Sequence, residues 1–159
     1  MRNKLGLTNQ KLFSVEKVIV NTKLNLLDEE FVFNNDIFSL EYLRQLHLFL
    51  FSDLYYEEDL TFRDLKGEEI RYIEVLLNLI KEFCISENGS EMLIETLTKL
   101  WKLQIFKDGN TRTLLGYLSI LNKVFILNLN IDLNKEINSR PSELRSKVFV
   151  NQKQLTKAK

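Results

Sequence analysis

This chain of 159 residues has one cysteine, one histidine and one proline. The lone cysteine, Cys84, excludes an internal disulfide framework and any zinc site built from several cysteines, which fits a reducing compartment. It extends the apolar stripe Ile70, Ile73, Leu77 and Ile80, so it reads as a small core residue. A single histidine leaves no second imidazole to share a metal, and His47 reads as a hydrogen-bonded core residue. Charge of one sign is absent too: 22 basic residues cancel 22 acidic ones, and the isoelectric point near 6.6 gives no field to draw in nucleic acid or an anionic membrane. No stretch approaches the ~20 apolar residues that a bilayer span needs, and the N-terminus lacks the apolar run of a signal peptide. The expected location is cytoplasmic. The only alanine is Ala158, a composition with no chemical consequence.

The apolar spacing is helical nearly throughout, and the length suits one domain with a core of its own. A first helix is expected over residues 10–27, with Phe13, Val18 and Leu24 among its buried positions. Ser39 caps a second helix with the stripe Leu40, Leu43, His47, Leu50 and Leu54. Residues 55–67 are polar and irregular, with room for a stub hairpin at most, and the cluster Glu57, Glu58, Asp59 reads as solvated. A third helix covers residues 68–84. The breaker S-E-N-G-S follows, and Ser90 caps a fourth helix that begins at Glu91 and ends at Leu103 or Gln104. Its buried stripe is Leu93, Leu97, Leu100 and Trp101, with Gln104 continuing it inward.

The fifth helix, residues 111–127, is apolar on almost every side: Leu114, Leu115, Leu118, Ile120, Leu121, Val124, Phe125. Such a helix belongs in the middle of a domain. Its small residues Gly116 and Ser119 mark places where neighbouring helices come close. Ser139 and Pro141 start a short last helix, and the basic tail, residues 150–159, is read as flexible. The fold class is all-α, a single domain built around a buried central helix.

The most informative stretch is F-K-D-G-N-T-R-T-L-L, residues 106–115, at the junction of the fourth and fifth helices. A Gly-Asn step permits positive φ, so successive N–H groups can point into one concavity, and a helix N-terminus adds its partial positive charge. That is a seat for phosphate. Asp108 supplies a carboxylate for a divalent cation, and Arg112 a guanidinium for bidentate contact with phosphate. No His, Cys or Ser stands beside the seat as a general base or nucleophile.

Taken with L-H-L-F-L-F-S-D-L-Y, residues 46–55, this stretch resembles the Fic (Fic/Doc) family. That family's signature reads H-P-F-x-D/E-G-N-x-R-x-x-R between two helices, preceded by a helix end of the type I-H-x-x-L-F-x-D-I-Y. Here the signature reads Q-I-F-K-D-G-N-T-R-T-L-L, residues 104–115, and the likeness covers residues 39–133. The resemblance implies transfer of the AMP part of ATP to a target hydroxyl, with Mg²⁺ as cofactor. It implies Asp108 as the metal ligand; Gly109, Asn110, Thr111 and Arg112 as the nucleotide-binding set; and Phe106 as a structural anchor beneath the loop. Gln104 takes the position of the catalytic histidine.

The chain departs from the pattern in four places. An amide does not take up a proton near neutral pH, so Gln104 is no general base, a loss that typically costs about 10² to 10⁴ in rate. Leu115 replaces the last arginine, as is common where the motif runs G-N-T-R-T. The flap that docks a target peptide is reduced to residues 56–67, which leaves little strand edge to pair with. The inhibitory pattern S/T-x-x-x-E-G/N has one partial match, Ser139 to Glu143, interrupted by Pro141. Three readings follow. The favoured one is a Fic-fold protein, weak or inactive as a transferase, that keeps a nucleotide seat. Another is an active adenylyltransferase in which Gln104 or water orients the hydroxyl. The last is a non-enzymatic helical interaction or regulatory module. Expected partners are a nucleotide and a protein target or regulatory chain, with no membrane and no nucleic acid.

Overall fold

A computed structural model describes residues 2–30 and 36–127. Among them run five α-helices: α1 (Asn9–Glu30), α2 (Leu40–Phe51), α3 (Gly67–Ile85), α4 (Ser90–Lys102) and α5 (Asn110–Phe125), with one 3₁₀ turn at Glu57–Asp59. The fold is all-α, as the apolar spacing predicts. The expected helix from Ser139 and Pro141, the partial match ending at Glu143 and the basic tail lie outside the described residues.

α5 is the centre of the bundle. Its side chains at Asn110 and from Arg112 through Leu121 are all buried, and it packs against α1, α2, α3 and α4. A helix surrounded this way must be apolar on every face. The exception comes at its end, where Val124 is 48% exposed, because the helix runs out past its neighbours. At Gly116 a Cβ would lie 2.7 Å from a δ-methyl of Leu24, so the missing side chain lets α1 approach α5 closely, as expected there.

The buried side of α1 differs from the expected one. Leu24 is 3% exposed, but Phe13 is 41% and Val18 66% exposed. Val18, six residues before Leu24, stands about 120° from it around the helix and faces away from the bundle, whereas Phe13, about 20° from Leu24, shares its face but lies near the start of α1 and stays exposed. Val20, Leu24 and Leu27, spaced four and three apart, form the buried stripe instead.

Ser39 caps α2 as expected, its Oγ accepting the Tyr42 N–H at 3.1 Å. Ser90 does not cap α4. It is the first helical residue, and the cap position falls to Gly89, which offers no side-chain acceptor. In α4 Leu93, Leu97 and Leu100 are buried, and Trp101 is half-buried. Ahead of α1, Asn3 bridges Tyr55, and the Lys4 N–H donates to the Leu54 carbonyl at 2.6 Å, strapping the N-terminal residues onto the segment after α2. Among the described residues no helix is long and apolar enough to cross a membrane.

The two faces of α1 give a direct check. Leu24→Ala is expected to lower unfolding stability by about 2–4 kcal/mol through a cavity against α5, whereas Val18→Ser shifts it by less than about 0.5 kcal/mol. Urea denaturation measures both. Similar losses at the two positions would contradict this packing.

Candidate functional site

The site begins where α4 stops. Leu103 is still helical, but Gln104 adopts a left-handed backbone, φ 48°, and the chain leaves the helix axis. A left-handed residue just past the C-cap is a common way to end a helix, usually with glycine in that place. The Gln104 side chain folds back, its Nε2 donating to the Trp101 carbonyl at 2.8 Å. Gln104 therefore does not continue the α4 stripe, contrary to the helical spacing. It is exposed and faces the cavity described below.

Arg63 secures this helix end. Its Nε and Nη2 donate to the Leu103 carbonyl at 3.2 and 3.0 Å, and Nε also donates to the Gln104 carbonyl at 3.0 Å. Glu69 holds the guanidinium at 2.6 Å, and a cation at the C-terminal carbonyls suits the helix dipole. The segment carrying Arg63 forms no hairpin. It makes one antiparallel bridge, Phe62 to Phe106, and the Arg63 N–H donates to the Ile105 carbonyl at 2.9 Å. The edge of the loop is thus taken by the chain itself.

Phe106 lies beneath the loop, 2% exposed. Its ring stacks on His47 with centroids 4.0 Å apart and planes 4° from parallel, and on Phe62 at 5.0 Å. His47 is fully buried, and its Nε2–H donates to the Asp108 carbonyl at 2.8 Å. Burial pushes its pKa from the ordinary 6.5 down to about 4, against the opposing effects of that hydrogen bond and the Asp108 charge. The imidazole is a neutral strut between α2 and the loop.

Gly109, φ 78°, turns the chain into α5, and its close packing excludes a side chain. A Cβ there would lie 2.8 Å from the Phe51 ring and 3.1 Å from His47 Nε2. The Asn110 side chain is engaged inward: its Oδ1 accepts the Phe106 N–H at 2.8 Å, while Nδ2 donates to the Phe106 carbonyl at 3.0 Å and to Gln104 Oε1 at 3.3 Å. Asp108 Oδ1 accepts the Gly109 N–H at 2.8 Å, and Thr111 Oγ1 accepts the Trp101 indole N–H at 3.1 Å. What Asn110, Thr111 and Arg112 offer a ligand is therefore chiefly main chain: they are the first three residues of α5, whose N–H groups have no intrahelical acceptor.

Arg112 is the exception. Its side chain is 4% exposed, its Nε has no hydrogen-bond partner, and its Nη1 reaches only the Glu16 carbonyl, at 3.5 Å. Among the described residues it forms no ion pair. Burial pushes its pKa below the ordinary value, with Glu16 and Tyr55 offsetting part of the effect. A cation in that position lacks a direct ion pair and keeps hydrogen-bonding capacity for an anion.

These residues surround one cavity of about 160 Å³. Six of the residues singled out from sequence line it, Gln104 and Asp108 through Arg112, and Phe106 supports it from below. Two residues not foreseen complete the lining: Lys107, next to Asp108 in the loop, and Glu16, from the middle of α1. Lys107 stood in plain view inside the motif. Glu16 carried no local signal, because only the packing of α1 on α5 brings it there. Tyr55, also missed, is 5% exposed and donates its hydroxyl to Glu16 Oε2 at 2.7 Å.

Among the described residues no three His, Cys, Asp or Glu side chains gather as a metal centre. A divalent cation at Asp108 would rest on that one carboxylate plus oxygens of its ligand, an arrangement common for Mg²⁺ with phosphates. Comparison with protein families and with curated proteins finds no match to this chain.

The strut predicts a pH dependence. Because the folded-state pKa of His47 is depressed, its contribution is complete above pH 6.5 and declines as pH falls toward 4, by up to about 3 kcal/mol. No other side chain here ordinarily titrates between pH 6.5 and 5. Urea midpoints compared at pH 7 and pH 5 should therefore drop for the native chain and stay level in His47→Gln. A native midpoint that is flat over this range would refute the buried neutral imidazole.

Proposed function

We propose that the cavity at the start of α5 seats the phosphates of a nucleotide, in a Fic-like protein whose catalytic position holds Gln104 instead of histidine. The observation that carries this is Arg112, a buried guanidinium with an unpartnered Nε facing a cavity lined by the first turn of a buried helix. Helix N-termini favour anions, and a desolvated guanidinium pairs with phosphate strongly. Asp108, exposed and part of the cavity lining, would supply a carboxylate to the Mg²⁺ that accompanies ATP or ADP.

Gln104 takes no proton, and its amide is already donated to the Trp101 carbonyl. Transfer of AMP by way of position 104 is therefore absent in this reading. The segment at Phe62 and Arg63 agrees with it, since one isolated bridge and no hairpin give an extended target peptide little strand to pair with. A cytoplasmic setting, where ATP and Mg²⁺ are abundant, suits such a seat.

Isothermal titration calorimetry with ATP or ADP and Mg²⁺ tests the seat. Binding in the range of roughly 1 µM to 1 mM is expected for the native chain, and at least about tenfold weaker binding for Arg112→Met. The same variant removes an unpaired buried cation, so the unliganded protein should gain stability, by about 1 kcal/mol. Undiminished affinity in Arg112→Met would refute the proposal.

A further inference from the structure

Position 104 offers only a carboxamide, yet the cavity has another proton acceptor. Two carboxylates line it, Asp108 and Glu16. Asp108 has one oxygen committed to the Gly109 N–H, and in the reading above it carries the cation. Glu16 is differently placed. Its Oε2 is held by the buried Tyr55 hydroxyl at 2.7 Å, and its Oε1 has no hydrogen-bond partner among the described residues. Tyr55 is itself fixed, by its N–H donating to the Phe51 carbonyl at 3.0 Å and by the bridge to Asn3. Among the described residues the Glu16 carbonyl is also the one hydrogen-bond partner of the Arg112 side chain, so a single turn of α1 sets both the carboxylate and the neighbour of the phosphate-seeking cation. Glu16 and Arg112 line the same cavity of about 160 Å³.

Resting on the nucleotide reading, we propose that Glu16 is the general base of this site, accepting the proton of a hydroxyl that attacks the nucleotide seated against Arg112. For a nucleoside triphosphate, the hydroxyl oxygen forms a bond to the α-phosphorus. The bond from that phosphorus to the diphosphate oxygen breaks, and its electron pair leaves with the diphosphate. The hydroxyl proton passes to Glu16 Oε1 and from there to solvent. Water as acceptor yields free AMP, and a side-chain hydroxyl yields an AMP ester. Tyr55 is a positioning residue, which keeps the other carboxylate oxygen occupied and fixes the side chain.

The test is Glu16→Gln, nearly identical in shape but unable to take a proton. Its affinity for ATP and Mg²⁺, by calorimetry, is expected to stay within about threefold of native or to tighten, while AMP formation falls about 10²-fold or more. Labelled ATP separates free AMP from AMP attached to protein, and either product supports the assignment if it depends on Glu16. Adding Gln104→His to Glu16→Gln should raise turnover at least about tenfold over the single variant, since histidine tolerates a left-handed backbone and supplies an acceptor from another residue of the lining. Tyr55→Phe, which leaves the carboxylate in place but unheld, should cost roughly tenfold in turnover at unchanged affinity. Turnover in Glu16→Gln equal to or above native overturns the proposal, as does a native chain that binds ATP but forms no AMP. A native chain that does not bind ATP overturns the nucleotide reading, and this assignment with it.

Discussion

One buried imidazole holds the loop that opens α5. His47 projects from α2, stacks on Phe106 and donates to the Asp108 carbonyl, so the same ring fixes the bottom of the loop and its top. The other features of the loop follow from that contact. Gly109 must lack a side chain because the ring and Phe51 already fill the space. With Gly109 placed, Asn110 can turn its amide back onto Phe106 and Gln104, and α5 can start with its first N–H groups facing the cavity. The imidazole serves only while neutral. Protonation would place a charge in an apolar cage and leave it to a carbonyl and a distant carboxylate, which is why burial dominates its titration.

The cost of this arrangement is concentrated at Arg112. A guanidinium with little solvent and one long hydrogen bond to a carbonyl is poorly compensated. Structures tolerate such a group where binding supplies the missing charge, and the dipole of a 16-residue helix adds to the same demand. The cavity is not uniformly positive, however. Lys107 and Arg112 are balanced by Glu16 and Asp108, so a bare anion would meet repulsion on one side. A ligand carrying phosphate together with a cation fits this distribution better, and so does a carboxylate with work of its own.

Much of the loop was legible in sequence because its chemistry is local. The Gly-Asn step, the acid before it and the arginine one turn later occupy consecutive positions, and backbone geometry alone brings them to one concavity. The Ser39 cap and the buried α5 were legible for the same reason, since a cap and an all-round apolar helix are written in neighbouring residues. Other features were hidden. Gln104 was expected to continue the α4 stripe, whereas α4 ends at Lys102, two positions earlier, and Gln104 itself takes the left-handed backbone that turns the chain, its side chain still lining the cavity. Ser90 looked like a cap because cap residues and first-turn residues share a composition. Phe13 and Val18 looked buried because they are apolar, but Val18 stands about 120° from Leu24 around the helix, and Phe13, although on the face of Leu24, is exposed near the start of α1.

From the sequence alone came the all-α class, the central position of α5 and the residues of the loop, because helical periodicity and turn chemistry depend on neighbours along the chain. Tertiary structure alone decided what surrounds that loop. Glu16 and Tyr55 meet at the cavity 39 positions apart in the chain, and Arg63 closes the end of α4 from the segment after α2. That Arg112 is buried with no direct ion pair among the described residues is also a matter of packing. Contacts between distant residues are set by how helices lie against one another, and no periodicity within a single helix encodes that.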